Sequence, residues 1–541
     1  MSRGVLAGLI GALVSGGCML GSQSPHPPAT SATISPGPAA VSDDQIVHLL
    51  SRATYGPRPG DIARVRAMGL AAYLEQQLRP EIVNDRAAEA LLSDLPTLVA
   101  SIPALLHGYP QPPPQPQPAM ASGEMANEMA MSPPARTGPA DIVMELRSAK
   151  ALRAVASERQ LHEVMVDFWF NHFNVFLYKG EIRWYVTSYE RDVIRPHALG
   201  KFGDLLRATA RHPAMLYYLD NWLSRRAQGP SKPGLNENYA RELMELHTLG
   251  VDGGYTQHDV TEVARAFTGW TIDRPKEEGQ FLFRPGMHDA AAKVVLGHQI
   301  VAGGGIEDGE RVLQILARHP ATARFLATKL VRRFVSDEPP AALVDRVATT
   351  YERTDGDIAA VVRTILTSAE FASSQTYRAK IKTPFEYVVS AVRALGGSVD
   401  SRGGLELARA SARLGQPLYE AQPPTGYPDR AEPWVNSGAL VARINYATAL
   451  AQRRLLGVHC DPYVLSAGVD VRNPEAVLGR LEAELLHQQV SARTHSVLTK
   501  LLGDPQIVRS TDDDRRDRRW ANTDVAVLAA LVLGSPEFQR R

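Results

Sequence analysis

Two segments carry carboxylates at spacings that can support chemistry. Glu163 and Asp167 are four residues apart in LHEVMVDFWFNHFN, and Glu242 and Glu245 are three apart in NENYARELMELHTLG. On helices, each pair shares one face. If both faces meet across a helical bundle, the four oxygen ligands predict a site for one or two hard cations, which could activate water for hydrolysis. Without a metal, the same carboxylates could act as a general acid and base.

The helix predicted over 161–174 is apolar around most of its circumference, so we expect it to be buried. Its polar side chains form one narrow stripe: Glu163, Asp167, Asn171 and Asn174. Buried carboxylates need a cation opposite them, and either a metal ion or an arginine such as Arg241 or Arg265 would suffice. The alternative to a reactive site is therefore a buried ion network that fixes helix register.

The second helix is open to two interpretations. At 100° per residue, its polar residues Asn238, Arg241, Glu242 and Glu245 fall in one stripe, which is either a solvated face or the wall of a site. Arg241 and Glu245 could simply pair with each other. His247 falls among the apolar positions and is predicted to be a packed core histidine.

Histidines add further candidates. His172 lies about one residue step, roughly 100°, from the carboxylate stripe and is a supporting candidate metal ligand. His288 beside Asp289, in FRPGMHDAAAKVVLGH, suits an oriented base or a ligand. Asp289 could equally cap a helix, with Lys293 as its exposed partner.

The motifs of several enzyme classes are absent. HEVMV begins like a zinc-protease motif, but Val166 stands where the second histidine must be. The sequence contains no CxxC, P-loop, GxGxxG or GxSxG motif. The net charge of +1 balances 59 basic and 58 acidic residues, which argues against a nucleic-acid partner.

The N-terminus has the pattern of an export signal. MSRGVLAGLIGALVSGGC places an arginine, an apolar run and small residues before Cys18, which predicts a signal peptide over 1–18. Small residues before a cysteine are typical of bacterial lipoproteins, so Cys18 is a candidate lipidation site and the only expected membrane attachment. We expect an exported protein of the periplasm or outer membrane. The other cysteine, Cys460, then has no partner and is expected to be buried.

The rest of the chain has the periodicity and length of helices, so the predicted fold class is mainly α, a large multi-helical body over 43–541. The Pro/Ser/Ala-rich stretch 19–42 is predicted to be a flexible tether, with Asp43 or Asp44 as the first helix cap. The Pro/Met-rich stretch 108–140 is predicted to be a disordered insertion. In ILTSAEF and VLGSPEF, serine is expected to cap the turn after a helix.

Several segments together resemble the bacterial family known as domain of unknown function 1800. They include HLLSRATYGP, EVMVDFWFNHF, NENYARELMELHTLGVDGGYTQHDVTEVARAFTGW, HDAAAKVVLG, GQPLYEAQPPTGYP and LGSPEF. The resemblance implies an exported bacterial protein, with a second exported protein encoded nearby as a candidate partner. It implies no reaction and no catalytic residues. HDAAAK departs from the family pattern, in which glycine is expected between aspartate and lysine.

Two function classes follow. The first is a metal-assisted or acid/base hydrolase of an envelope or extracellular polymer, with candidate ligands or acid/base groups at Glu163, Asp167, Glu242 and Glu245 and supporting residues at His172, His288 and Asp289. The second is a non-catalytic envelope scaffold whose carboxylates are bound by Arg241 and Arg265. Unpaired carboxylates facing a cleft would favour the enzyme, and arginine-paired carboxylates without a pocket would favour the scaffold.

Overall fold

A computed structural model of the chain describes residues 41–111, 138–227, 234–487, 489–503, 508–509 and 522–541. Within these ranges helices far outnumber strands, which confirms the predicted mainly α class. The signal peptide, Cys18 and most of the predicted tether lie outside the described residues, and so do the methionines of the predicted insertion. No helix in the described ranges has the length and apolar character needed to cross a membrane.

The first half of the described chain contains thirteen α-helices. They are α1 Asp43–Ala53, α2 Asp61–Met68, α3 Leu70–Gln77, α4 Arg86–Ala90, α5 Ile102–Gly108, α6 Pro139–Ala156, α7 Gln160–His172, α8 Ile182–Ser188, α9 Arg195–His197, α10 Phe202–Arg211, α11 Pro213–Tyr218, α12 Asn238–Glu242 and α13 Gln257–Ala266. Two π-helical segments, Tyr189–Ile194 and Leu243–Thr248, continue α8 and α12.

Eleven α-helices follow in the described second half. They are α14 Ile306–Arg318, α15 Pro320–Phe334, α16 Ala341–Arg353, α17 Ile358–Leu366, α18 Pro384–Ala394, α19 Ser401–Arg413, α20 Ser437–Ala451, α21 Pro462–Leu465, α22 Pro474–Leu486, α23 Ala492–Leu501 and α24 Val525–Leu533. Short 3₁₀ turns are found at Pro80–Ile82, Pro96–Leu98, Asn221–Leu223, Pro285–Met287 and Glu432–Trp434.

The strands of the described chain form four separate antiparallel pairs. They are β1 Trp270–Asp273 with β2 Gln280–Phe283, β3 Lys293–Val295 with β4 His298–Ile300, β5 Ser398–Val399 with β6 Val458–His459, and β7 Val508–Arg509 with β8 Asn522–Thr523. β1–β2 and β3–β4 join neighbouring strands, whereas β5 and β6 are far apart along the chain. The core is therefore built by helix packing, in which α6 lies along α19 and α15 along α16.

Helix α7 is buried on nearly every side, as predicted. Trp169 and Phe173 are fully buried, and Trp169 donates its indole N–H to the Ala198 carbonyl at 2.9 Å. Because its apolar positions surround the helix, α7 must be covered by other elements all round. This position brings its polar stripe into the interior of the molecule.

The capping predictions have mixed outcomes. Ser42, not Asp43 or Asp44, caps α1, in a capping box with Gln45. Ser368 and Ser535 accept the amides of Phe371 and Phe538 at 3.1 and 3.4 Å, which confirms the predicted role of serine in both short motifs.

Other details depart from the sequence analysis or confirm it. The π-helical segment Leu243–Thr248 breaks the 100° step assumed for that helix, although His247 is buried in the core as predicted. Both ends of the predicted insertion are helical, at Gly108 in α5 and at Pro139 in α6. Cys460 is buried and free, as predicted.

Candidate functional site

A cavity of about 280 Å³ opens beside the C-terminal half of α7. Four further parts of the chain line it: α6 at Lys150, α15, Thr383 at the start of α18, and the loop from Gln416 to Arg430. Its polar lining includes Asp167, Asn171, His172, Asn174, Lys329, Arg332, Arg333, Thr383, Tyr427 and Asp429. Much of the polar stripe predicted on α7 therefore borders this cavity, which is of a size suited to a small ligand group.

Two asparagines of α7 and its C-terminal end hold the loop over the cavity. Asn171 donates from Nδ2 to the Tyr427 carbonyl at 2.8 Å and accepts the Tyr427 amide at 2.7 Å. Asn174 donates to the carbonyls of Ala421 and Pro423 at 2.8 and 2.9 Å. These hydrogen bonds compensate for the loss of water around the two side-chain amides. Both asparagines therefore position the loop, and their bonded atoms are not available to a ligand.

Glycine at 426 is required by this contact. Gly426 has a φ of +71°, and a Cβ there would lie 2.8 Å from Asn171 Cγ and closer still to its two oxygens. Any side chain at this position would push the loop away from α7. The glycine of the TGYP sequence therefore allows the loop to close the cavity.

The cavity lining carries a positive surplus. Five basic side chains, Lys150, Lys329, Arg332, Arg333 and Arg430, face it beside two carboxylates, Asp167 and Asp429. Lys150 is bound by Asp167 at 2.6 Å, and Arg430 pairs with Glu338 at 3.4 Å. Of the cations of α15, Arg333 pairs with Glu386, which is not part of the lining, and Lys329 and Arg332 have no ion pair in the described chain, so the lining favours negative charge.

Lys329 is half-buried and has no hydrogen bond or ion pair with any part of the chain that the structure describes. Burial, with a smaller contribution from Arg332, lowers its pKa to about 8 against the opposing effect of Asp429. An ammonium group in such a place is destabilised unless an anion joins it. Lys329 is therefore poised to bind a negatively charged group.

Arg333 is 5% exposed and is only partly satisfied. Its Nη1 donates to Glu386 at 2.5 Å, whereas Nε and Nη2 have no partner in the described chain. Burial disfavours its charge, but Glu386, Asp429 and Asp167 raise its pKa, so it remains a cation. Two unpaired N–H groups on a buried guanidinium call for an acceptor that the described chain does not supply.

Glu386 is fixed from several sides. It is the third residue of α18 and completes a capping box, in which its Oε2 accepts the Thr383 amide at 2.9 Å. Its Oε1 also lies 2.9 Å from Arg541 Nη1. Burial opposes ionisation, but Arg333 and Arg541 outweigh it and lower the pKa of Glu386 to about 2.

The carboxylates predicted on α7 are both bound by cations of the chain. Glu163 accepts two hydrogen bonds from Arg195, at 2.9 and 2.5 Å. Burial opposes its ionisation, but Arg195 and His162 hold the pKa of Glu163 well below its usual range. A cation opposite the stripe was predicted correctly, but it is Arg195 for Glu163 and Lys150 for Asp167, not Arg241 or Arg265.

Glu242 and Glu245 belong to a half-exposed surface and are not part of the cavity lining. Burial and the neighbouring Glu245 raise the pKa of Glu242. Arg241 pairs with Glu237 at 3.3 Å, so the suggested pairing of Arg241 with Glu245 is wrong. This arrangement corresponds to the solvated-face interpretation of the helix.

The HDAAAK segment forms two separate ion networks. Asp289 is bound by Arg265 at 2.8 Å and caps no helix, because strand β3 follows it. Lys293 is buried and donates to Asp308 at 2.7 Å, so its predicted exposure is wrong. His288 is oriented by Asp308, at 3.2 Å from Nε2, and not by Asp289.

The predicted metal ligands do not form one set. Among the residues that the structure describes, no group of three or more His, Cys, Asp or Glu side chains is arranged to hold a metal ion. Both carboxylate oxygens of Glu163 accept hydrogen bonds from Arg195. Only Nδ1 of His172 is left as a possible metal ligand, because its Nε2 lies 3.1 Å from the His247 carbonyl oxygen.

The family comparison agrees with the resemblance seen in the sequence. A family model described as "Protein of unknown function (DUF1800)" matches residues 48–540. The chain belongs to this family. No curated protein matches the chain, and no solved structure does. In this DUF1800 chain, two of the segments that carry the resemblance, EVMVDFWFNHF and GQPLYEAQPPTGYP, meet at the cavity.

Sequence reasoning missed the basic side of the cavity. Lys329, Arg332 and Arg333 lie in ATARFLATKLVRRFV, which shows only an ordinary amphipathic helix. Asp429 and Arg430 directly follow the GYP sequence of the family segment. One signal was present: TPFE is a capping-box pattern that places a glutamate at the start of a helix, where Glu386 binds Arg333.

Proposed function

We propose that the protein binds a small anionic group, a phosphate, sulfate or carboxylate, in the cavity between α7, α15 and the loop from Gln416 to Arg430. The observation that carries this proposal is Arg333, a buried guanidinium with two N–H groups that lack an acceptor in the described chain. Lys329 lines the same cavity without an ion pair. Guanidinium and ammonium groups together are typical ligands of oxyanions.

An alternative is that the cations of the cavity only stabilise the fold. The other buried ion pairs of the protein argue against this for Lys329. Glu163 with Arg195, and Asp308 with Lys293, show how the chain satisfies a structural ion by placing a partner within 3 Å. Lys329 has no such partner, although its neighbour Asp429 is near enough to affect its pKa. The ammonium of Lys329 lies 5.4 Å from the Phe325 ring centroid, a contact that does not neutralise its charge. A cation without a counter-charge beside an open cavity is better explained by a ligand than by a packing role.

Anion-dependent stabilisation tests the proposal. The unfolding temperature of the purified protein would be measured with inorganic sulfate and phosphate, and with chloride at matched ionic strength. A ligand at about 100 times its Kd adds about 2.7 kcal/mol to the free energy of unfolding. We expect a saturable increase with sulfate or phosphate that Lys329→Met greatly reduces at the same anion concentration. Equal effects of chloride, or an undiminished effect in Lys329→Met, would refute the site.

Hydrolysis of an acidic envelope or extracellular polymer is the second candidate function, and one observation favours it. The amine of Lys329 has a pKa of about 8, in the range in which a group can take up and release protons near neutrality. Acid/base catalysis by Lys329 predicts turnover that rises as the pH rises through 8. Incubation with acidic polysaccharides, followed by measurement of new reducing ends, tests it, and binding without turnover would leave only the binding function.

We place this activity outside the cytoplasm, in the periplasm or at the outer membrane. The support is the sequence pattern that ends at Cys18, which is typical of an export signal with a lipidated cysteine. A Cys18→Ser variant should lose membrane association in cell fractionation if the lipid is the anchor. An exported partner protein, implied by the family resemblance, would then meet the site in the same compartment.

A further inference from the structure

Residues that line the cavity carry buried, unsatisfied acceptors as well as unsatisfied donors. Arg333 supplies the donors, at Nε and Nη2. Two other lining residues supply acceptors, because Asp429 Oδ2 and His172 Nδ1 are buried and have no hydrogen-bond partner in the part of the chain that the structure describes. A simple oxyanion satisfies donors and has little to offer two separate acceptors.

The acceptor character of His172 follows from its other nitrogen. Nε2 lies 3.1 Å from the His247 carbonyl oxygen, which can only accept, so Nε2 carries the hydrogen. Burial, followed by Lys329 and His247, holds the pKa of His172 well below its usual range, so the ring is neutral. Nδ1 therefore presents a lone pair. The side chain is only 2% exposed.

One carboxylate oxygen of Asp429 lies near two cations, and the other has no hydrogen-bond partner in the described chain. Its Oδ1 lies 3.8 Å from Lys380 Nζ and 3.9 Å from Arg541 Nη2. Its Oδ2 has no hydrogen-bond donor among the residues described. A buried carboxylate oxygen without a donor costs free energy, which a ligand hydroxyl could recover.

Four other polar side chains of the lining are already engaged. The Tyr427 hydroxyl donates to the Pro417 carbonyl at 2.7 Å, and the Tyr419 hydroxyl donates to Glu190 at 2.7 Å. Asn171 and Asn174 hold the loop. The buried side-chain atoms of the lining that lack a partner in the described chain are thus donors of Arg333 and one acceptor each of Asp429 and His172.

We infer that the ligand is an acidic sugar residue, whose phosphate, sulfate or carboxylate meets Arg333 and Lys329 and whose hydroxyls donate to Asp429 Oδ2 and His172 Nδ1. This inference rests on the proposed anion-binding function and narrows its ligand class. Sugar rings supply several hydroxyl donors at fixed distances from an acidic group. A ligand that lacks hydroxyls leaves both acceptors buried and unpaired.

Matched pairs of ligands test this inference by titration calorimetry on the purified protein. Glucose 6-phosphate is compared with methyl phosphate, glucose 6-sulfate with methyl sulfate, and glucuronate with cyclohexanecarboxylate. The three pairs identify which acidic group is preferred. We expect at least one sugar to bind about tenfold or more tightly than its hydroxyl-free partner.

The variant Asp429→Asn tests the same inference within the protein. The remaining oxygen stays toward Lys380 and Arg541, so an NH₂ donor replaces the acceptor Oδ2. We expect the preference for the sugar to fall at least fivefold, while methyl phosphate binds as tightly as before or more tightly, because a negative charge is removed. Asp345→Asn, in an exposed ion pair with Arg324, is the matched control and should change neither affinity.

The outcomes separate the two claims. Equal binding of sugar and hydroxyl-free anions, or a sugar preference unchanged in Asp429→Asn, would overturn the acidic-sugar inference and leave the anion site standing. Absence of binding by every anion in both sets would overturn the proposed function, and the inference with it.

Discussion

Arg333 commits one guanidinium nitrogen to Glu386 and leaves the other two without a partner in the described chain. Nη1 lies 2.5 Å from Glu386 Oε1, and each side chain is 6% exposed. The same oxygen also meets Arg541 at 2.9 Å. Glu386 thus serves two buried arginines, and a second carboxylate, Asp429, lies 3.9 Å from Arg541 Nη2. An anion in the adjacent cavity would supply the acceptor that Arg333 Nε and Nη2 lack.

Lys329→Met should separate binding from stability. Methionine keeps an unbranched side chain and removes an ammonium that burial disfavours. We therefore expect the free energy of unfolding at pH 7, measured in urea without added oxyanion, to stay the same or rise. Sulfate affinity should fall about 10–100-fold, as expected for the loss of a charge-assisted hydrogen bond of about 1.5–3 kcal/mol.

Lys276→Met makes the same chemical change at an exposed position outside the cavity. It should alter neither the stability of the protein nor its sulfate affinity. A large loss of stability in Lys329→Met, beyond that of the control, would mean that the ammonium has a structural partner and would contradict this account of the site.

Anion affinity should depend on pH through Lys329. Its pKa is about 8 in the folded protein, below the ordinary value of 10.5, so the ammonium is lost as the pH rises through about 8. The charged neighbours that affect this pKa are Arg332 and Asp429. Sulfate, which keeps its charge, should therefore bind progressively more weakly above pH 8 by calorimetry, and Lys329→Met should remove this dependence.

The same shift fixes the sign of a stability effect. Between pH 8 and 10.5 the unfolded chain binds more protons at Lys329 than the folded protein does, so this residue makes stability rise with pH in that window. Below pH 8 the folded protein carries the full free-energy cost of burying the charged ammonium of Lys329. Lys329→Met should therefore be more stable than the wild type below pH 8, and this difference should disappear above pH 10.5. A difference that persists unchanged above pH 10.5 would contradict the assignment.

Glu386→Gln should destabilise the protein strongly. It leaves Arg333 and Arg541 buried without their shared carboxylate, a change that ordinarily costs about 3–5 kcal/mol. The folded-state pKa of Glu386 is about 2 and the ordinary value is 4.5. Its contribution is therefore complete above about pH 4.5 and is lost as the pH falls toward 2. Urea unfolding of wild type and variant from pH 7 down to pH 3 measures both effects.

Glu277→Gln is the control for this loss, because Glu277 meets Arg274 in a pair in which both side chains are more than half exposed. Its effect should be far smaller, since surface pairs contribute little. If the two variants lose equal stability, the arginines beside the cavity do not depend on Glu386, and the positive surplus must be balanced elsewhere.

The burial and polar stripe of α7 could be predicted because both depend on local periodicity. The partners of that stripe could not, since Arg195 is 32 residues from Glu163 along the chain and many cations were equally eligible. The π-helical segment after Glu242 changes the angular step, which no residue type announces. The cations of α15 looked like an ordinary polar face, because only the loop ending near Arg430 turns that face into a cavity wall.

Gly426→Ala should open the cavity by displacing the loop. Its φ of +71° and the close approach to Asn171 make any side chain both strained and obstructed. Gly415→Ala is the matched control, because its φ is +103° in the same segment and nothing lies within 4 Å of the added carbon. Backbone strain alone should cost the control roughly 1–2 kcal/mol.

The control should keep its sulfate affinity, whereas Gly426→Ala should lose more stability and bind sulfate weakly, because Tyr427 can no longer exchange two hydrogen bonds with Asn171. Urea unfolding and sulfate titration of both variants measure these differences. Equal losses in the two variants would show that the loop does not need to lie against α7, and the cavity would then have another means of closing. If Gly426→Ala loses both stability and sulfate affinity beyond its control, the GYP sequence of this family segment is needed for ligand binding.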